Sequence, residues 1–394
     1  MRALLLVVLL AAAAPGSAEE PPFDTLRAIP VDAEESPFDT LRAVHGYAEE
    51  PQETVQDPVR AGWDAIQRGD GEKAASAFRA RLATNPNDAN ALTGAGIAAH
   101  LTARDDQAIS YLKKALQADP EFAYASYVLG QVAYAQGDLD LAIKSYERVI
   151  KLQPGSPGIQ KQLEEWKKEA ALHGTFAARP TARFTVMFEG AAQQAIATRV
   201  SNVLETAYVR VGNALNAYPP ETVTAILYTG QQFKDITKSP SWAAAAYDGR
   251  IRIPVQGALK DPAELDRIVT HEFVHAVIHQ MYPGIPGWLN EGLSTYLEPG
   301  DHTWLTARLR GADGMIPLSR LTEAFQTMDG ADALVAYAQS YVGARVLAER
   351  LGANFPVFLQ YVSNGTAIDQ ALLLFNITPA DVEREWTRKS RGAR

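Results

Sequence analysis

His271, Glu272 and His275 stand within the stretch HEFVHAVIH, in a chain that holds only seven histidines. Two histidines four apart on a helix share one face. Two imidazoles placed so can grip one metal ion, and Glu272, next to His271, can reach a water on that ion without ligating it. Catalytic zinc takes three protein ligands and keeps a fourth position for water. The third ligand is expected from a following helix. Glu291 in WLNEGLSTY offers it, sixteen positions after His275, and the Pro- and Gly-rich YPGIPG supplies the turn that brings this helix back. The chemistry such a set can do is hydrolysis by an activated water. His279 lies about 40° around the helix from His275, at about 100° per residue, and reads as a core residue or an outer neighbour of the site. His45, His100, His173 and His302 stand alone and read as surface or packing.

The elements that must position these groups are legible nearby. DPAELDRIVTHEFVHAVIHQMY reads as a helix, with Asp261 as N-cap and Pro262 at its first position. RFTVMFE (183–189) and TVTAILY (222–228) read as strands, and the helical stretch 191–216 lies between them. AYDGRIRIP (246–254) reads as one further strand by its alternation, and its segment 248–254 could hold an extended substrate by edge pairing. Beyond NEGLSTYLE the chain reads as helical to its end.

On these residues the second part of the chain, roughly 181–390, resembles the gluzincin metallopeptidases, the thermolysin-like group. More narrowly it resembles bacterial peptidase-MA-like domains. The H-E-x-x-H motif is followed by Pro286, Gly287, Trp288, Leu289, Glu291 and Gly292, as in those domains. The resemblance implies Zn2+ on His271, His275 and Glu291, with Glu272 as general base. It also implies a tyrosine hydroxyl as oxyanion donor on a helix closed by Gly352. Tyr337, expected to open that helix fifteen positions before Gly352, is the candidate for that role, and Tyr341, one turn on, the alternative. Two departures stand out. Thr295 occupies the place where the family often has an Asp that orients a zinc histidine, and Glu298, one turn on, is the available substitute. The glutamate motif that holds a substrate N-terminus in aminopeptidases is not evident.

A different architecture precedes it. Gly62, Gly96 and Gly130 are 34 residues apart, and so are Ala74, Ala108 and Ala142, and Pro86, Pro120 and Pro154. Phe78, Leu112 and Tyr146 keep the interval. This period and order match the tetratricopeptide pattern. Small residues let two helices approach, a bulky residue fills the gap, and proline ends the second helix. Residues 57–172 are thus expected to hold three repeats and a polar capping helix. Such arrays bind proteins in a concave groove or brace a neighbouring domain.

The N-terminus, MRALLLVVLLAAAAPGSAEE, has the layout of a secretory signal peptide over 1–18. Residues 19–56 hold ten Asp and Glu against two Arg, and PFDTLRA occurs twice there, at Pro22 and Pro37. That segment is expected to be mobile, a linker or a doubled docking motif. The chain has no cysteine, so disulfides cannot stabilise it. Its net charge of −9 gives no basic surface for nucleic acid. The expected fold class is α+β with an all-α repeat domain: a helical solenoid, then a zinc peptidase domain with a small sheet and a helical C-terminal subdomain. The expected function is that of an exported, periplasmic or secreted zinc peptidase with no membrane span in its mature chain. Its repeats would recruit a peptide or protein. The alternative is an inactive adaptor of the same fold that works through its repeats.

Overall fold

The computed structural model describes residues 6–7, 58–237, 245–255, 261–310, 316, 321 and 330–390. The acidic segment 19–56, and residues 1–18 apart from Leu6 and Val7, lie outside them. The described residues divide into two compact units, one over 58–174 and the other over 175–390 together with Leu6 and Val7.

The first unit consists of helices. α1 (Pro58–Gln67) and α2 (Gly71–Thr84), α3 (Ala89–Leu101) and α4 (Asp105–Ala118), and α5 (Ala123–Ala135) and α6 (Leu139–Leu152) are the three expected pairs. α7 (Pro157–His173) is the cap. Asp70, Asp88 and Asp138 begin α2, α3 and α6, and each side chain accepts the backbone N–H three residues on, at 3.1, 3.0 and 2.9 Å. These bonds satisfy donors that a helix start leaves open. The glycine marks have the expected cause: a Cβ on Gly130 would lie 2.5 Å from the Tyr146 ring. On α7 only Leu163, Trp166 and Glu169 are buried, so its outer face is polar as a solenoid end requires. A row of rings crosses the repeats. Trp63 lies 6.0 Å from Tyr124, Tyr124 lies 6.3 Å from Tyr127, and Tyr127 lies 5.6 Å from Tyr146. Trp63, Tyr124 and Tyr127 remain half-buried.

The second unit is built on a sheet. Its strands are β1 (Leu6–Val7), β2 (Ala177–Pro180), β3 (Phe184–Phe188), β4 (Val223–Tyr228), β5 (Ala246–Tyr247) and β6 (Ile251–Pro254), in the order β1-β5-β6-β4-β3-β2. β3, β4 and β6 run parallel, and β2 and β5 are antiparallel additions. α8 (Gln194–Leu215) crosses between β3 and β4, and α9 (Gly230–Thr237) follows β4.

The stretch 246–254 is not the single strand expected. Asp248-Gly249-Arg250 folds the chain back, with Gly249 at φ 97°, so two short antiparallel strands replace one. β6 is therefore paired on both sides, by β4 and β5, and has no edge to offer a substrate. β5 is covered in turn by β1, where Leu6 and Val7 pair antiparallel with Tyr247 and Ala246.

α10 (Pro262–Met281) carries the motif. Asp261 caps it, its side chain accepting from the N–H groups of Ala263 and Glu264, and Pro262 stands at the first helical position. Every residue from Ile268 to Ile278 is buried, so α10 runs through the core rather than over it. Phe273 meets Phe184 of β3 edge to face, at 5.7 Å. α11 (Gly287–Leu297) follows the turn, and then come α12 (Thr303–Arg310), α13 (Gly330–Leu351), α14 (Phe355–Ser363), α15 (Ile368–Leu373) and α16 (Pro379–Ser390).

α11 and α13 touch backbone to backbone at Gly292. A Cβ there would lie 2.2 Å from the Ser340 carbonyl oxygen and 3.0 Å from Ala344 Cβ. A backbone atom cannot swing aside, so Gly292→Ala must push the helices apart. Overpacking of this kind costs roughly 1–3 kcal/mol. In a unit of this size the upper value corresponds to a Tm lower by about 6–12 °C, which a thermal melt reads directly.

Candidate metal centre

The i, i+4 spacing on α10 stacks His271 and His275, with ring centroids 4.9 Å apart. α11 brings Glu291 to them. Its Oε2 lies 3.6 Å from His271 Nε2 and 3.9 Å from His275 Nε2. The ligand atoms of these three residues all lie within 4.8 Å of one another, and all three residues are buried. A tetrahedral zinc with bonds of about 2.0–2.2 Å holds its ligand atoms roughly 3.3 Å apart. The two measured separations are only slightly wider. His271 Nε2, His275 Nε2 and Glu291 Oε2 are buried and have no hydrogen-bond partner. Three convergent polar atoms without partners cost folding energy unless something binds them. Two imidazoles and a carboxylate suit zinc, so the residues fit the ion.

The ring nitrogens facing away from this point are held. His275 Nδ1–H donates to Asn290 Oδ1 at 2.9 Å, and Ser294 Oγ lies 3.0 Å from the same nitrogen. Ser294 spends its own proton on the Asn290 carbonyl. His271 Nδ1–H donates to Glu298 Oε2 at 2.7 Å. In its neutral form each ring then carries the proton on Nδ1 and offers the Nε2 lone pair to a cation, the arrangement that such outer bonds enforce. Thr295, at the position where an orienting Asp was sought, does not touch either ring. Glu298 does that work for His271.

Glu272 is wholly buried, and neither carboxylate oxygen has a partner. Burial pushes its pKa up to about 8; the His271 charge opposes this, and Glu291, Glu298 and Asp248 add to it. Burial also lowers His275, to about 4, against the pull of Glu291. His271 is desolvated too, yet the nearby Glu291 carboxylate and the bond to Glu298 outweigh that and raise it to about 10 from the protein groups alone.

Tyr337 is wholly buried, and it lies in the second turn of α13 rather than at a helix start, because that helix begins at Gly330. Its hydroxyl lies 2.7 Å from Thr295 Oγ1. Thr295 donates to the Glu291 carbonyl at 2.9 Å, so the Tyr337 proton points at Thr295. Burial first, then Glu298 and Glu291, hold the phenol far above its ordinary pKa, so it keeps that proton. Tyr341 is also buried and packs on the His302 ring at 5.1 Å. His279 meets the edge of Tyr247 at 5.9 Å and takes no part in the His271, His275 and Glu291 group.

Asn290, Ser294 and Arg267 have no role in the expectations above, and His302, expected to stand alone, instead bonds Glu298 at 2.9 Å. For Asn290 the signal was present, since it precedes Glu291 and so starts the same helical turn.

Two family models match the chain. Residues 205–389 match the family model of the Peptidase MA superfamily. Residues 59–121 and 104–157 match that of the Tetratricopeptide repeat. The chain therefore carries tetratricopeptide repeats followed by a Peptidase MA superfamily domain. No curated protein matches it. Among solved structures, the type III secretion translocator chaperone SycD of Yersinia enterocolitica is 18% identical, with 31% of this chain and 90% of that one covered and a TM-score of 0.28. A CopN-Scc3 complex is 16% identical, with 36% and 93% covered and a TM-score of 0.25.

Proposed function

We propose that the chain is an exported zinc-dependent peptidase whose repeats recruit a substrate or partner protein. One observation carries the reading. Three buried, unpartnered ligand atoms converge beside a buried carboxylate that likewise has no partner. A core that needed only packing would not keep four such groups together.

Zinc, when bound, supplies a Lewis acid that activates water and polarises a peptide carbonyl. Glu272 takes the proton of the attacking water and passes it to the leaving amine. A carboxyl with a pKa near the working pH does both efficiently. Removal of residues 1–18 would free the side of β5 that Leu6 and Val7 pair with, and an extended substrate would take that place by main-chain pairing. Export rests on the signal-like residues 1–18. Among the described residues, no helix is long and apolar enough to cross a membrane.

Tyr337 is the proposed oxyanion donor. It must turn from Thr295 to serve, and it keeps its proton for the purpose. Tyr337→Phe is then expected to lower kcat about 10²-fold, as loss of one oxyanion donor does, with Tyr341→Phe as control. A kcat within threefold of wild type, with only the melting temperature lowered, would leave Tyr337 as a brace between α13 and α11.

The adaptor reading draws on the half-buried rings Trp63, Tyr124 and Tyr127. The two readings separate in one assay. The zinc-loaded chain and its Glu272→Gln variant are incubated with a mixture of unfolded proteins, and new termini are sought by mass spectrometry. Termini produced by the wild type alone support the peptidase. None from either, with one zinc per chain present, supports the adaptor.

A further inference from the structure

The Glu298 carboxylate is the meeting point of three elements. Its side chain is only 1% exposed. Oε2 accepts from His271 Nδ1–H at 2.7 Å. Oε1 accepts twice, from Arg267 Nη1–H at 3.0 Å and from His302 Nε2–H at 2.9 Å. Arg267 precedes His271 by four residues on α10, so both side chains leave the same face. Glu298 is the C-cap of α11. The chain then reverses through Gly300, at φ 136°, and presents His302 to the same oxygen from the other side. Arg267 is itself fixed. Its Nε donates to Glu264 Oε2 at 2.8 Å, and Nη2 donates to Glu264 Oε1. The His302 ring packs at a tilt against Tyr341, with centroids 5.1 Å apart.

We propose that Arg267 and His302 are positioning residues for the metal: by holding Oε1 of Glu298 they aim Oε2 at His271 and so fix that ring for binding. The proposal rests on the reading of His271 as a metal ligand. The geometry explains the division of labour. A carboxylate can rotate about its last side-chain bond, and two donors on one oxygen remove that freedom. The other oxygen is left for one N–H alone. Arg267 adds rigidity, because its planar fork is anchored on Glu264 before it reaches Glu298. His275 needs no such relay, since Asn290 and Ser294 touch it directly. The relay replaces the carboxylate that Thr295 does not supply.

The test measures zinc affinity of the full chain by competition with a coloured chelator, beside the absorption band of the cobalt-loaded protein. Arg267→Met keeps the length of the side chain and removes the fork. It is expected to weaken zinc binding by about 10–100-fold, the usual effect of losing an outer partner, and to change the cobalt band. Arg267→Lys should recover part of the loss, because an ammonium reaches Glu298 but cannot also clamp Glu264. If Arg267→Met does not fold, His302→Phe tests the same oxygen, with an expected loss of about 10-fold, the lower end of that range. Zinc affinity within threefold of wild type and an unchanged cobalt band, in whichever variant folds, would overturn the proposal. A wild-type chain that binds no zinc would overturn it together with the reading beneath it. Zinc bound by wild type and equally by the variants overturns the positioning role alone.

Discussion

Glu272→Gln is expected to lower kcat/KM by about 10³-fold or more while zinc still binds at one per chain. General acid–base groups typically contribute about 10²–10⁴-fold. Here the same carboxyl serves both proton transfers, so the upper part of that range applies. The amide has the shape of the acid and cannot take up a proton. The substitution also has a thermodynamic signature. Glu272 is raised by burial to about 8, well above its unfolded value. A group raised in this way favours the fold below its unfolded pKa, and that contribution is lost as pH rises through about 8. The metal-free wild type should therefore lose stability on going from pH 6 to pH 9, and the Gln variant should lose less. Melts of the two chelated proteins across that range check it. Hydrolysis within tenfold of wild type would remove Glu272 from the mechanism. A parallel pH dependence of the two melts would mean that its burial does not strain the fold.

The parts of the site legible in the sequence were those set by local spacing. His271 and His275 share a face because they are four apart, and Asp261 and Pro262 mark where that helix begins. Glu291 was within reach for a similar reason, since one turn of known composition separates its helix from α10. The repeats were legible because each glycine faces a ring or a leucine at the same interval, Gly62 on Phe78 and Gly130 on Tyr146. What remained hidden depends on long-range contact. Arg267 and Glu298 are 31 residues apart, and nothing in either neighbourhood signals that they meet. His302 looked solitary because the chain reversal at Gly300 that delivers it to Glu298 has no side-chain mark. The β5–β6 turn was visible as Asp248-Gly249, yet the alternation on both sides hid it. The start of α13 was misread because α13 begins earlier, at Gly330, a boundary that a search for a helix beginning at a tyrosine passes over. Local rules thus located the candidate ligands His271, His275 and Glu291 and the buried Glu272 beside them. The contacts that orient those ligands came only with the tertiary fold.

Zinc affinity is expected to fall about tenfold for each unit of pH lost between pH 8 and pH 5, close to 10³-fold over the whole range. The sign follows from His271. Against burial, the nearby Glu291 carboxylate and the bond to Glu298 raise it to about 10 in the protein alone, so near neutrality a proton sits where the ion must bind. One proton is then displaced for each zinc taken up, and each unit below pH 10 makes that displacement tenfold harder. His275 does not add to this slope above pH 5, because burial has already lowered it to about 4. Below that value a second proton competes and the slope should steepen. Zinc binds the folded chain only, so the same dependence must appear in stability. Saturation at about 1,000 times Kd adds roughly 4 kcal/mol, and this gain should shrink as the solution is acidified at fixed zinc. Calorimetry in two buffers of different ionisation enthalpy counts the protons released, and chelator competition at pH 5.5, 6.5 and 7.5 gives the slope. About one proton per zinc at pH 7 is the expected count. A slope near zero would mean that His271 presents a bare Nε2 before zinc arrives. The closeness of Glu291 Oε2, 3.6 Å from that nitrogen, would then be repulsive in the free protein rather than held by a shared proton.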